Sequence, residues 1–380
     1  MKLNSLKFLV KRRIEAGIFL IIFFGLFGFI SSKMGLANML NTIMQTAYHL
    51  LLETVFYIMS ITVLSGALGK LLIEFGVVRL IEIILKPLMK PLYNLPGIGA
   101  LGGIMTFLSD NPAILTLSKD SNFNKYFKKY QLISLTNFGT SFGMGLIVIV
   151  FMAGKGYGLS AGIGFLGAFI GSIISTRLMQ RLVIKKYPEL KDETTSGGDE
   201  QKISFKSEGG IFLRILNSIL DGGKTGVSLG LAIIPGVLII STFVMMLTFG
   251  PGADGTYNGA AYEGIALLPY LAGKIDFVFK FLFGFTNPEL VAFPITSLGA
   301  VGAALGLIPK FQASGLIDAN SMAVFAAMGM CWSGFLSTYS AMFDSLGYRK
   351  LIGTAILVQT LGGICAGIAS HLIYTLVSLI

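Results

Sequence analysis

Charge is what this sequence has least of. Only 13% of its 380 residues are Asp, Glu, Lys or Arg, where a soluble domain carries about 25%. Hydrophobic residues make up 54%, and mean hydropathy is +0.77. Such a chain cannot cover a water-facing surface, so an ordinary soluble enzyme or binding module is excluded and a polytopic membrane protein is expected. Cysteine is nearly absent. Cys331 and Cys365 both lie in apolar stretches, which argues against a disulfide framework or a cysteine metal centre. The two histidines are no better placed. His49 stands four residues before Glu53, as a proton relay or an interfacial pair, and His371 lies near the end of the last apolar run. Gly139-Thr140-Ser141-Phe142-Gly143 has the spacing of a nucleophile elbow but sits in an apolar run with no strand-to-helix turn. No enzyme is expected.

The net charge of +10 could suggest nucleic acid, but the basic residues cluster at the ends of apolar runs, as membrane orientation requires. No nucleic-acid partner is expected; the partners are the lipid bilayer and a solute, with a homo-oligomer left open. Residues 1–15 form a basic lead with Lys2, Lys7, Lys11, Arg12 and Arg13. The apolar run 17–35 has no small-residue cleavage site and is expected to be a retained first span. Further spans are expected at 44–66, 131–153, 157–176, 225–248, 319–342 and 351–378, about seven in all. Residues 68–93 set Leu68, Leu71, Leu72, Phe75, Val78, Ile81 and Leu85 against Lys70, Glu74, Arg79, Glu82 and Lys86, the pattern of an interfacial helix that Pro87 and Pro91 end. A shorter amphipathic piece is expected at 209–222.

Two stretches organise the rest. Ser109-Asp110-Asn111-Pro112 interrupts the apolar segment 95–120, and Thr286-Asn287-Pro288-Glu289 opens the Gly/Ala-rich segment 286–309. Proline removes a backbone donor and turns the preceding residue away from helix. A broken helix in a membrane persists only where it is buried in protein or lines a watery cavity. Each segment is therefore expected to be a re-entrant hairpin. The fold class is all-α, with the spans and two hairpins arranged in two repeats. The divisions are 1–43 for the lead and first span, 44–184 for the first repeat, and 185–208 for a polar cytoplasmic linker. The second repeat is 209–345 and a C-terminal span is 346–380. With the N-terminus inside, only Lys33, Lys155, Lys274, Lys280 and Lys310 of the 29 Lys and Arg fall outside. The first hairpin then enters from inside and the second from outside, an inverted-topology pair whose tips meet near the midplane.

The stretch from Leu68-Gly69-Lys70 to Pro91-Leu92, with the hairpin after it, resembles the Gate or nucleoside recognition domain. Concentrative nucleoside transporters and the membrane part of ferrous-iron transporters share that domain. Their first hairpin tip carries Thr-Glu-Ser-Pro, where this chain has Ser109-Asp110-Asn111-Pro112. Their Asn-Glu-Phe-Val-Ala is similar to Asn287-Pro288-Glu289-Leu290-Val291-Ala292, with an extra proline. A later Ser-rich segment is matched by Ser333-Gly334-Phe335-Leu336-Ser337-Thr338, with Gly334 where the family has an amide. The resemblance covers roughly 44–345 and implies an elevator-like transporter whose hairpins hold the solute. The GTPase domain of the iron transporters is not matched, since Gly223-Lys224-Thr225 lacks the preceding P-loop glycine.

A carboxylate inside the membrane costs about 2.5–3.5 kcal/mol on insertion scales and marks a functional site by default. Asp110 and Glu289 are thus the leading candidates, for solute and for ion coupling; the alternative is that both sit at hairpin tips in headgroup water. Ser109, Asn111, Thr286, Asn287, Ser333, Ser337 and Thr338 are candidates for solute contact, or for capping freed backbone groups. Asn137, Thr140 and Ser141 are candidates for ion coupling, or for bonding back to helix carbonyls. The expected function is a secondary transporter of a small polar organic solute, such as a nucleoside or related metabolite. Its coupling ion is Na⁺ or H⁺, with no other cofactor and no bound metal. A ferrous-type divalent metal permease, kept open by Cys331 near Ser333, and a membrane scaffold or partner subunit are the alternatives. The expected location is a bacterial plasma membrane, with the N-terminus cytoplasmic.

Overall fold

The computed structural model describes residues 2–111, 113–114, 117, 121–193, 210–252 and 254–379, without the side chains of 2–11, 121–122, 337 and 345. Pro112, the side chain of Ser337 and most of the polar linker lie outside the described residues. Six described helices are long and apolar enough to cross a membrane. α1 runs from Lys2 to Met34, and its Arg12–Met34 portion of 23 residues reaches about 35 Å at roughly 1.5 Å per residue. Gly35, at φ 80, turns the chain into α2, Leu36–Glu74, which contains a wide π turn at Leu50–Val55. Gly76, at φ 75, turns it again into α3, Val77–Leu88, which runs on through a π turn to Tyr93.

The expected interfacial helix 68–93 is therefore corrected. Residues 68–74 belong to α2, and the break falls at Gly76, whose left-handed backbone an L side chain would strain. Pro87 sits inside α3 rather than ending it.

The first hairpin begins with a 3₁₀ turn at Gly97–Gly99 and the helix α4, Ala100–Leu108. Helical geometry stops at Ser109, with φ −136 and ψ −104. α5, Lys129–Gly154, contains the span expected at 131–153. It has two pieces, Lys129–Thr140 and Gly145–Gly154, with tight turns between them and Met144 at φ 52. α6 is Gly158–Lys186.

In the second half, α7 is one helix from Ile211 to Thr248, not the two pieces expected. Its glycines suggest a break but serve close approach. Without a side chain at Gly222 the helix rests on the backbone of Gly66 and Ala67, and at Gly226 on the carbonyl of Thr62. The Thr62 hydroxyl donates to the Gly226 carbonyl at 2.7 Å. A loop, 249–266, then folds back over α2. Glu263 is buried and accepts the N–H groups of Asn258 and Gly259 at 3.1 and 3.0 Å. Hydrogen bonds from Thr256 hold the exposed Asp254 carboxyl below its ordinary range.

α8, Leu267–Gly273, and α9, Asp276–Phe283, lead to Gly284 at φ 65. The second hairpin is a 3₁₀ turn at Pro288–Val291, then α10, Ala292–Gly299, an extended Ala300, and α11, Val301–Ala313. α12 is Ala319–Trp332 and α13 is Phe335–Ser345, separated by Ser333 at φ 45 and Gly334 at φ 72. The span expected at 319–342 is thus a broken helix, which is why six long helices stand where about seven spans were expected. α14, Ile352–Val377, closes the chain.

Among the described residues the two halves share an order: a long helix, short helices, the arm α4 or α10, a broken helix and a long helix. Glycines again set the contacts, with Gly171 of α6 against the Gly362 carbonyl of α14 and Gly164 against the Ala323 carbonyl of α12. Gly162, by contrast, faces open space. Around α11, Phe293 and Phe325 stack with ring centroids 4.2 Å apart. α12 starts with a capping box, in which Asp318 accepts the Ser321 N–H at 2.6 Å. Asp318→Ala should therefore cost about 1 kcal/mol, read as a modest drop in melting temperature in detergent.

Candidate functional site

Backbone breaks from both halves meet in one buried polar cluster. Asn111 follows the end of α4 and has no exposed surface. Its amide donates to the Ser333 carbonyl at 2.9 Å, and the Ser333 hydroxyl lies 3.4 Å from both Asn111 Oδ1 and Asp110 Oδ1. Asp110 also accepts the Asn111 N–H at 2.7 Å, and the Ala113 N–H donates back to the Asp110 carbonyl at 2.9 Å. The break in α5 completes the cluster, because a Cβ on Gly143 would run into the Ser333 hydroxyl and the Asn111 amide oxygen. The second hairpin joins by backbone: the Gly334 N–H donates to the Ser297 carbonyl at 3.0 Å, and Gly334 faces Gly299 and Ala300. So the first hairpin tip, the second hairpin tip and both helix breaks share one small volume.

Beneath it, Gln359 of α14 ties the same elements together. Its carbonyl oxygen accepts from the Asn137 amide at 3.0 Å and the Tyr339 hydroxyl at 3.0 Å. Its amide donates to the Ser141 hydroxyl at 3.0 Å and the Cys331 carbonyl at 2.6 Å. Ser141 donates to the Asn137 carbonyl and touches Ser175 at 3.3 Å. The Asn137 side-chain oxygen Oδ1 is buried with no hydrogen-bond partner, and Thr140 stands beside Tyr339 without a well-aligned one. Gln359 and Tyr339 were not anticipated. The available signal was a lone amide in an otherwise apolar span.

The anticipated residues divide. Asp110, Asn111 and Ser333 come together, and Asn137, Thr140 and Ser141 form the layer next to them. Ser109 bonds back to the Met105 carbonyl at 2.6 Å, as a cap. Thr338 turns to the Phe335 carbonyl at 3.4 Å in its own helix. The second Asn-Pro step is not at a tip. Asn287 donates to the Leu316 carbonyl at 3.0 Å and to exposed Thr286, so it closes the foot of the second hairpin. Glu289 lies in the 3₁₀ turn at that foot, about 15–20 Å of helix from the tip at Ala300 at roughly 1.5 Å per residue. The hairpin breaks instead at Gly299-Ala300, where small residues let the backbone reach Gly334. Among the described residues, no three His, Cys, Asp or Glu side chains form a group that could hold a metal.

No family model matches the sequence. Over 73 residues the chain is 36% identical to the sporulation integral membrane protein YlbJ of Bacillus subtilis (strain 168), a match covering 18% of this chain and 18% of that protein. Three structures of CNTnw share the fold. The inward-facing, substrate-bound state has TM-score 0.52 at 14% identity, over 86% of this chain and 80% of that one. A doubly substituted variant facing outward has TM-score 0.52 at 11% identity, over 98% and 86%. A singly substituted variant in an intermediate state has TM-score 0.50 at 13% identity, over 97% and 85%. The chain is an all-helical, multi-pass membrane protein whose fold is similar to that of CNTnw.

Proposed function

We propose that this protein is a secondary active transporter that carries a small polar organic solute by alternating access, driven by Na⁺ or H⁺. The carrying observation is the Asn111–Ser333 contact, where the hairpin of one half meets the helix break of the other. Broken helix ends present backbone N–H and carbonyl groups without helical partners, and these are the groups that hold polar solutes and ions inside a membrane. Asp110 adds a carboxylate at that point. The resemblance of the first hairpin to the nucleoside recognition domain supports nucleosides and related metabolites as the first solutes to try. The likeness to CNTnw in inward- and outward-facing states supports alternating access. In this reading the linker is cytoplasmic, the protein sits in the plasma membrane, and the hairpins enter from opposite sides.

Flux into proteoliposomes, measured over a panel of nucleosides, nucleobases and amino acids with imposed Na⁺ or pH gradients, tests the proposal. Asp110→Asn is expected to cut flux at least about tenfold, because a charge-assisted hydrogen bond is worth about 1.5–3 kcal/mol. Glu289→Gln, at the hairpin foot, is expected to stay near the parent rate. Absence of flux for every member of the panel, or equal flux in Asp110→Asn, sinks the reading.

A further inference from the structure

Two apolar cavities occupy matching places in the two halves. The first, about 320 Å³, lies between α3, α4, α5 and α6, and Ile81, Leu85, Ala100, Ile104, Phe138 and Phe169 line it. The second, about 280 Å³, lies between α9, α10, α12 and α14, with Phe279, Leu282, Ile295, Leu298, Met328 and Trp332 around it. Each is bounded by the amphipathic helix, the first hairpin arm, the broken helix and the closing helix of its half. Neither offers a free polar group. The Tyr93 hydroxyl at the first is bonded to Ser172 at 2.8 Å, and Trp332 Nε1 at the second donates to the main-chain carbonyl of Gln359 at 3.1 Å. A cavity of this size without polar partners stays dry and takes hydrocarbon. The helices that flank them carry bare hydrocarbon outward, Leu80, Ile83 and Ile84 on α3 and Phe277 and Phe281 on α9. Exposed lysines mark both helices, Lys86 and Lys90 on the first and Lys280 on the second. An amphipathic helix with that pattern lies at the headgroup level, where its cations meet lipid phosphates.

We propose that each cavity is a binding site for one acyl tail of an anionic phospholipid, inserted between the amphipathic helix and the hairpin of its half. The tail would fill the space that separates the hairpin from the interfacial helix. The site is independent of the solute reading and stands or falls without it.

Trp332, the sole tryptophan, reports on the second cavity directly. The protein is reconstituted into nanodiscs of phosphatidylglycerol whose acyl chains carry bromine, a contact quencher of indole emission. Trp332 is only 5% exposed, so bromine reaches it by entering the cavity. Emission is expected to fall relative to unbrominated lipid. Leu282→Phe or Ile364→Phe, each filling the cavity while leaving Trp332 in place, is expected to restore most of it; circular dichroism establishes which of the two variants is folded. Unchanged emission in brominated lipid overturns the proposal. Quenching that persists in a folded filling variant overturns it as well, since it would arise from lipid outside the cavity.

Discussion

Replacing Gln359 by leucine is expected to lower the melting temperature sharply and to abolish flux. The change leaves the Asn137 amide, the Tyr339 hydroxyl, the Ser141 hydroxyl and the Cys331 carbonyl without the group that joins them. Hydrogen bonds inside membrane proteins average about 0.6 kcal/mol each, so the four together amount to roughly 2–3 kcal/mol. That is a large part of the stability of an ordinary folded protein. Leucine cannot offset the loss by burial, because the site is already filled by a side chain of similar length. Thermal melting in detergent decides the matter: a melting temperature within a degree or two of the parent would show that the network contributes nothing. The effect on flux follows from position, since Gln359 holds α14 to both broken helices that frame the Asp110–Ser333 cluster.

The second large effect is expected at Gly143. A valine there would push its Cβ into the Ser333 hydroxyl and the Asn111 amide, with Ser333 Cβ 2.8 Å away. Overpacking of this kind costs about 1–3 kcal/mol of stability. Asn111 and Ser333 would move apart, and solute flux should fall at least about tenfold, the equivalent of 1.4 kcal/mol. Gly162→Val is the matched control, a glycine of α6 with nothing near its missing Cβ. Gly143→Val and Gly162→Val showing equal flux would mean that the helix breaks are not where solute passes.

Much of this architecture is legible in the sequence, because hydrocarbon length and glycine spacing act locally. The long apolar runs, the amphipathic stretch after α2 and the hairpin break at Asp110-Asn111 all announce themselves in composition. The second hairpin does not. Its Asn-Pro dipeptide carries the stronger break signal, yet it caps the foot, where Asn287 reaches Leu316. Its tip at Gly299-Ala300 carries no polar side chain at all, because there the backbone itself makes the contact with Gly334. The break at Ser333-Gly334 is similarly quiet, a left-handed pair inside a run whose hydropathy suits a straight span. Gln359 escapes for a different reason. Its importance comes from four partners distant in sequence, and no local pattern encodes them.

The first helix differs from all the others in what surrounds it. Only 6% of its spanning window is buried, and Phe19, Ile21, Ile22 and Phe24 are each more than 60% exposed. Ile30 and Met34, at its far end, are fully packed against Met39 and Met246. Natural selection therefore reads the two ends of one helix by different criteria. Along the exposed turns it can weigh only oiliness, so mutations among Phe, Ile and Leu are expected to be close to neutral there. At Ile30 and Met34 it weighs shape, and the same exchanges are filtered. One helix is thus expected to carry two rates of evolutionary change, one along its exposed turns and one at its packed end.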